Sequence, residues 1–450
     1  MTIATAATDF TTRVVPAHDV QLTFSSQLDD GNFAAHGADT QWIADSRKEL
    51  RLNRCIGLPT ETVYGLAANA LDEDAVHSIY AAKSRPSDNP LIVHVSSMRM
   101  LRALYHLPAS GNTRPFLGTA NAALEGAEAG LAEPEGLDAR LREAEDRDRA
   151  LGGDGVWPEI PRVYHEAIRR FWPGPLTIVL PRPPCIPMVV LGGHGDTVAF
   201  RFPAHAVARA AISACGLPLA APSANASGRP SPTTAAHVLH DLQGRLPLIV
   251  DAGTCDVGVE STVLDAFSSN SRVDGQPSPC ILRPGGVTFE QLASLPGPEW
   301  RRLRVYKRDF VSTELERNPT TPGMKYRHYA PSAPVHVLVP QAARSDAEMA
   351  RLMQQQIDVL AAERGARRIG VVAVAVAGAE HSFVTPHGST LCVHRVADAK
   401  ELAHSIFALL RSLDENEHVD AILVQGVGEA NEGMAVMNRL TKAASFHVLC

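Results

Sequence analysis

The stretch AAKSRPSDNPLIVHV (81–95) passes from one structural period to another. A helical segment reading over 73–82 delivers Lys83 and Arg85, and Pro86 then prevents the helix from continuing, because proline lacks an N–H and restricts the residue before it. LIVHV is apolar and β-branched, the composition of a strand buried on both faces. A helix that feeds a buried strand through a short turn is the unit of an α/β domain. The two cations have two explanations at this point: they complement a helix C-terminus, or they meet an anion.

Outward from this stretch the pattern repeats. Short apolar strands punctuated by proline and glycine follow at LTIVLP, TVAFRFP, LPLAAPS, LPLIVDAG and STVLD, with helices expected over 40–51, 204–215 and 233–242. This predicts a mixed α/β domain over 41–294, preceded by a poorly ordered lead-in over 1–40. Within the domain, 124–155 is rich in Ala, Glu and Arg and bounded by glycines; it reads as a solvated helix or a disordered insertion with no catalytic role. A polar linker over 295–334 contains PGMKYRHYAP (322–331). Beyond it, 335–450 alternates regularly: VHVLV, a helix over 347–364, RIGVVAVAV, LCVHRV, a helix over 400–413, DAILVQ and a helix over 433–445. That alternation predicts a smaller, Rossmann-like domain with a parallel sheet.

Composition removes several function classes. Hydrophobic residues make up 45% and charged residues 20% of the 450-residue chain, and no long uncharged apolar run suggests a membrane span. The start, MTIATAATDFTTRVVPAHD, lacks the basic and apolar regions of a secretory signal, so a cytoplasmic location is expected. Seven scattered cysteines without a CxxC pair suggest reduced thiols rather than a disulfide framework or zinc site. A net charge of −7 confines any nucleic-acid contact to a local basic cleft.

The familiar phosphate loop GxxxxGK[ST], HExxH, the GxSxG elbow and the kinase signatures are absent. QGVGEANEG (425–433) lacks the third glycine in register and reads as a tight strand-to-helix turn instead of a dinucleotide fingerprint. The first domain is denser in chemistry. PTETVYGL (59–66) suits either a pocket loop or a polar turn capped by threonine. TVAFRFPAH (197–205) puts Arg201 in an apolar strand, where it needs a structural ion pair or a ligand anion. APSANASGRPSPTT (221–234) crowds hydroxyls among small residues, so its backbone can approach a phosphate closely. GVESTVLD (258–265) carries Glu260, Ser261 and Thr262 ahead of a strand, and ILRPGG (281–286) carries Arg283. Lys83, Arg85, Arg201 and Arg283 therefore stand with hydroxyl-rich turns at strand ends, a set that suits a triphosphate and a small polar substrate.

PTETVYGL, AAKSRPSDNPLIVHV, FWPGPLTIVL, TVAFRFPAH, APSANASGRPSPTT, GVESTV and LRPGG, in that order, resemble the YrdC-like domain of the threonylcarbamoyl-AMP synthase family. PGMKYRHYAP and the tail are similar to the long, two-domain form, so the likeness spans 41 to the C-terminus apart from 124–155. The run before PTETVYGL, RLNRCIGL, is shorter and more polar than the family's first strand. The resemblance implies a twisted α/β sheet with a positively lined concave cleft. It also implies the conversion of L-threonine, bicarbonate and ATP to threonylcarbamoyl-AMP and pyrophosphate, for threonylcarbamoyladenosine in tRNAs that read ANN codons.

Carried over motif by motif, Thr62, His94, Arg201 and Ser261, with the backbone of Ala221, would hold threonine. Lys83, Arg85, Asn89, Thr197, Ser223, Ser231 and Arg283 would surround ATP, with Lys83 and Arg85 acting catalytically at the phosphates. Lys325, Tyr326 and His328 would form a lid. Mg²⁺ is expected to arrive with ATP, with no dedicated protein metal site and no tightly bound organic cofactor. Expected partners are the substrates, tRNA and the downstream threonylcarbamoyl-transferase machinery, but no membrane. Two rival readings are a module that binds double-stranded RNA or tRNA without chemistry, and a related carbamoyltransferase with another acceptor.

Overall fold

The computed structural model describes residues 10–18, 20–28, 32–37, 40–107, 136–317, 319–320, 328–341, 344–362, 364–374, 383–386 and 388–450. Eleven of its strands form one mixed sheet. Their order is Arg13–Pro16, Leu248–Asp251, Ile56–Leu58, Gly65–Asn69, Leu219–Ala220, Ile92–His94, Thr197–Arg201, Leu176–Pro181, Thr262–Asp265, Cys280–Arg283 and Arg304–Val305. The strand before PTETVYGL spans only Ile56–Leu58, and the chain doubles back at once into Gly65–Asn69, antiparallel to it.

The turn after the helix Glu73–Lys83 follows from its sequence. Asp72 caps the helix start by accepting from the Ala75 N–H, and Ser84 closes the helix in the left-handed region at φ 51°. The strand Ile92–His94 then enters the sheet, buried along its length, beside Thr197–Arg201. The described residues within 10–37 correct the expectation of a poorly ordered lead-in there. Arg13–Pro16 extends the large sheet in parallel with Leu248–Asp251, and Val20–Phe24 pairs with Phe33–Gly37 as a hairpin. The hairpin is held where the Arg209 guanidinium lies 3.7 Å from the Phe24 ring centroid and donates to the carbonyls of Ser26 and Gln27.

The charged segment expected over 124–155 is described from 136 onward, and there it is neither disordered nor fully solvated. Leu137–Ala150 is a helix whose Leu137 and Leu141 are buried. Arg99 and Arg102 of the helix Met98–Leu104 form ion pairs with its Asp138 and Glu145 at 2.8 Å. Its few leucines fall on one face, so the charge count outweighed a real amphipathic stripe.

The second domain holds a five-stranded sheet in the order Thr390–Val396, Arg368–Val374, Ala421–Gln425, Val335–Val339 and Phe446–Leu449, with every pairing parallel. The helices Asp346–Ala362, Ala399–Arg411 and Glu432–Ala443 cover it. The two domains share a core: Val63 and Val259 of the first are buried with Phe407, Leu402 and Ala403 of the second. All seven cysteines are free, and among the described residues no helix is long and apolar enough to cross a membrane.

Candidate functional site

Sheet register brings the predicted residues together. Arg201 ends its strand opposite His94 on one side and Thr177 on the other, while Thr177 lies one position from Leu176, the partner of Thr262. Ser261, just before Thr262, therefore arrives beside Thr177, and the two hydroxyls are 2.7 Å apart. Arg283 comes in on the neighbouring strand and donates to the Ser261 carbonyl at 3.0 Å. Gly285 permits this approach, since a Cβ there would stand 2.2 Å from the Glu260 carbonyl oxygen.

The resulting cavity is lined by Arg85, His94, Arg201, Ala221, Ser223, Ser261, Arg283 and His328 of the predicted set. Ile92, Pro222, Asn225, Arg229, Glu260 and Tyr329 complete its wall. Tyr329 is held at φ 68°, a left-handed conformation that a bulky side chain rarely adopts. Its ring centroid lies 5.2 Å from that of Phe407, so the linker is pinned between the cavity and the second domain.

Arg201 does not offer an open fork. Its Nη2 donates to Glu61 Oε1 at 2.7 Å and its Nη1 to Thr62 Oγ1 at 2.8 Å. Glu61 also accepts from the backbone N–H groups of Ala204 and His205. Burial raises the Glu61 carboxyl, but Arg201 more than offsets this and holds it below the usual range. The ion-pair and ligand explanations for Arg201 thus coexist: Glu61 orients it, and it still faces the cavity.

Lys83 does not line the cavity. It reaches beneath the serine-rich loop, donates to the carbonyls of Ser223 and Asn225, and has its ammonium pushed well below its ordinary value by burial. Among the described residues Arg85 donates to the carbonyls of Asn89 at 3.4 Å and Pro90 at 3.2 Å, and burial lowers it to about 10. Asn89 is buried next to the wall, its carbonyl also accepting from Tyr80. Ser231 donates to Glu260 at 2.6 Å. Thr197 lies four residues before Arg201, at the far end of the strand from the cavity. Lys325 and Tyr326 lie outside the described residues.

His94 and His328 are both kept neutral, near pKa 3, by burial first and then by Arg201 and Arg85 respectively. Burial would raise the Glu260 carboxyl, yet Arg439 and Arg283 hold it at about 2. Glu61, Glu260 and Tyr329 sat inside motifs already singled out, although no role was assigned to them. Arg229 and Asn225 belong to the serine-rich loop. Arg439 carried no motif signal, because it reaches the site only through domain packing.

Fold and cavity define a two-domain α/β protein whose larger domain gathers arginines and hydroxyls at strand ends, beneath a linker anchored to the smaller domain. Residues 48–119 and 154–285 match the Sua5/YciO/YrdC family model described as "Telomere recombination", and 287–445 match the "Threonylcarbamoyl-AMP synthase, C-terminal domain" model. The threonylcarbamoyl-AMP synthase of Schizosaccharomyces pombe is 42% identical over 87% of this chain and 85% of its own length. That of Bacillus subtilis is 37% identical over 90% of this chain and 94% of its own. A crystal structure of Pyrococcus abyssi Sua5 complexed with L-threonine is similar with a TM-score of 0.68 and 34% identity, covering 92% of this chain and 98% of that one. The chain belongs to the threonylcarbamoyl-AMP synthase family, in its two-domain form.

Proposed function

We propose that this protein condenses L-threonine, bicarbonate-derived carbon dioxide and ATP into threonylcarbamoyl-AMP and pyrophosphate. The observation that carries this reading is the convergence of Arg85, Arg201, Arg283, His94, Ser223 and Ser261 on one cavity. Three arginines with few acids left unpaired suit a polyanion, and the neutral His94 beside Arg201 and Ser261 suits a small zwitterion. Threonine is proposed to place its carboxylate at Arg201, which Glu61 has already oriented, and its polar groups at Thr62, His94, Ser261 and the Ala221 backbone.

The threonine nitrogen attacks carbon dioxide and loses a proton, forming a carbamate. A carbamate oxygen then bonds to the α-phosphorus of ATP as the bond from that phosphorus to the bridging oxygen of pyrophosphate breaks. Such a transfer depends on positioning and charge neutralisation more than on a protein nucleophile. Arg85 and Arg283 supply the charge, with Ser223, Ser231 and Asn89 as the further nucleotide contacts. Lys83 holds the loop from beneath through the Ser223 and Asn225 carbonyls, positioning Ser223 for the nucleotide. The linker, through Lys325, Tyr326 and His328, excludes water from the acyl-adenylate.

Mg²⁺ enters on the triphosphate. Among the described residues Glu61 and Glu260 are committed to arginines, and so are Asp241 and Glu415 of the His240, Asp241 and Glu415 cluster. None of these four carboxylates is left free to hold the metal. The product would serve threonylcarbamoyl transfer to tRNA in the cytoplasm.

Purified protein given labelled threonine, bicarbonate and MgATP is expected to release pyrophosphate only when threonine is present. Threonine-independent release, or equal turnover with serine or glycine, overturns the reading.

A further inference from the structure

Glu260 lines the nucleotide cavity but is neutralised from the other domain. Arg439, on the helix Glu432–Ala443, is fully buried and donates through Nε to Glu260 Oε2 at 2.9 Å. Its Nη1 donates to the carbonyl of Pro284, the residue after Arg283. Its guanidinium carbon lies 5.9 Å from the ring of Tyr329, which itself lines the cavity. Nη2 is buried and has no hydrogen-bond partner among the described residues.

The charges near Glu260 make this contact consequential. Glu260 accepts from Ser231 and lies close enough to Arg283 for each to bias the other's protonation. A buried carboxylate that loses its cationic partner is left as an uncompensated charge. With Arg439 in place, Glu260 is neutralised by a residue that does not itself line the cavity, and Arg283 retains positive charge for a ligand. Without Arg439, Glu260 would turn its charge on Arg283 and on any phosphate entering the cavity.

We infer that Arg439 is a positioning residue for nucleotide binding, through which the C-terminal domain neutralises Glu260 and leaves Arg283 to the triphosphate of ATP. This inference rests on the nucleotide reading above. Fusion of the second domain then has a chemical purpose, since it supplies the counter-charge that the catalytic domain lacks.

The test is equilibrium binding of MgATP and, separately, of L-threonine to the full chain. Arg439→Met is expected to weaken ATP binding by at least about tenfold, as for a buried charge pair that loses one partner, and threonine binding by less than about threefold. The double variant Glu260→Gln with Arg439→Met removes both charges at nearly constant shape and should restore ATP affinity to within about threefold of wild type. Arg439→Lys keeps the charge and should recover most of the loss.

A wild-type chain that binds ATP, together with an Arg439→Met variant that binds it equally well, overturns the inference alone. So does a double variant no better than the single one, or equal loss of ATP and threonine binding. If Arg439→Met does not fold, the double variant and Arg439→Lys decide, and a tenfold ATP defect in the double variant overturns the inference. A wild-type chain that binds no ATP overturns the nucleotide reading and this inference with it.

Discussion

Arg201 and Glu61 form a buried pair 2.7 Å apart, their side chains only 4% and 8% exposed, at the point where the substrate carboxylate is proposed to bind. Truncating either partner leaves the other charged and buried, at a cost of about 3–5 kcal/mol. Arg201→Ala therefore tests folding as much as binding. Glu61→Gln is the cleaner probe, because it retains an acceptor for Arg201. It is expected to raise the KM for threonine several-fold with a smaller effect on the KM for ATP, measured by pyrophosphate release. Equal effects on both would remove Glu61 from the orientation of Arg201.

Arg85 is the contrasting case. Among the described residues its hydrogen bonds go only to carbonyls and its Nε makes none, and Asp88 acts on it only as a minor Coulombic partner, so its removal breaks no close ion pair there. Arg85→Met is expected to lower kcat/KM by about 10²–10³-fold, the scale for losing one preorganised charge donor, while the melting temperature stays close to wild type. A variant that melts normally and keeps full activity would exclude Arg85 from the phosphates.

Much of this arrangement was legible in the sequence, for an identifiable physical reason. Strand ends such as LIVHV and TVAFRFP combine β-branched cores with a polar residue at the mouth, a local pattern that places His94 and Arg201 at one end of the sheet. The second domain's alternation was equally local, and its parallel sheet follows from crossover helices. Partners distant in sequence were not legible. Nothing near Arg439 or Arg411 marks them as the ligands of Glu260 and Asp241, 179 and 170 residues away. Thr197 shows the opposite error, because a motif spanning a whole strand carries residues to both of its ends. The hairpin over 20–37 was missed because its partner strands are short and half exposed.

Stability should depend on pH through histidines that are buried and neutral. His94 and His328 are held near pKa 3, and His237 and His336 near 4, in each case by burial first. Their unfolded values lie near 6.5, so below that pH the unfolded chain binds protons that the folded chain refuses. Stability is complete above about pH 6.5 and declines as pH falls towards 4, before most carboxylates titrate. His336 isolates the effect, since it lies outside the cavity and stacks on Phe446 at 4.5 Å, with no hydrogen-bond partner for Nε2 among the described residues. His336→Phe keeps the stack and should flatten the fall in melting temperature between about pH 6.5 and 4.5. An unchanged slope would show that His336 titrates normally.

Removing the metal should separate function from fold. Since the acids around the cavity are already paired with arginines, chelation of Mg²⁺ is expected to abolish pyrophosphate release and leave the melting temperature of the ligand-free chain unchanged. A large downward shift in that melting temperature would reveal a resident metal site and contradict the assignment of Mg²⁺ to the nucleotide.

Domain docking can be broken at one atom. Gly258 sits at φ 79°, and a Cβ there would stand 2.0 Å from the His404 carbonyl oxygen on the helix Ala399–Arg411. That oxygen is backbone and cannot swing away, and the φ already disfavours any other residue. Gly258→Ala must therefore push the helix off the first domain, pulling on the Val259 and Phe407 packing and on the nearby Arg411–Asp241 pair. The expected outcome is separation of one melting transition into two, faster proteolysis between 317 and 334, and a loss of activity larger than any loss of first-domain stability. A single unshifted transition with full activity would mean that the two domains do not need this contact to act together.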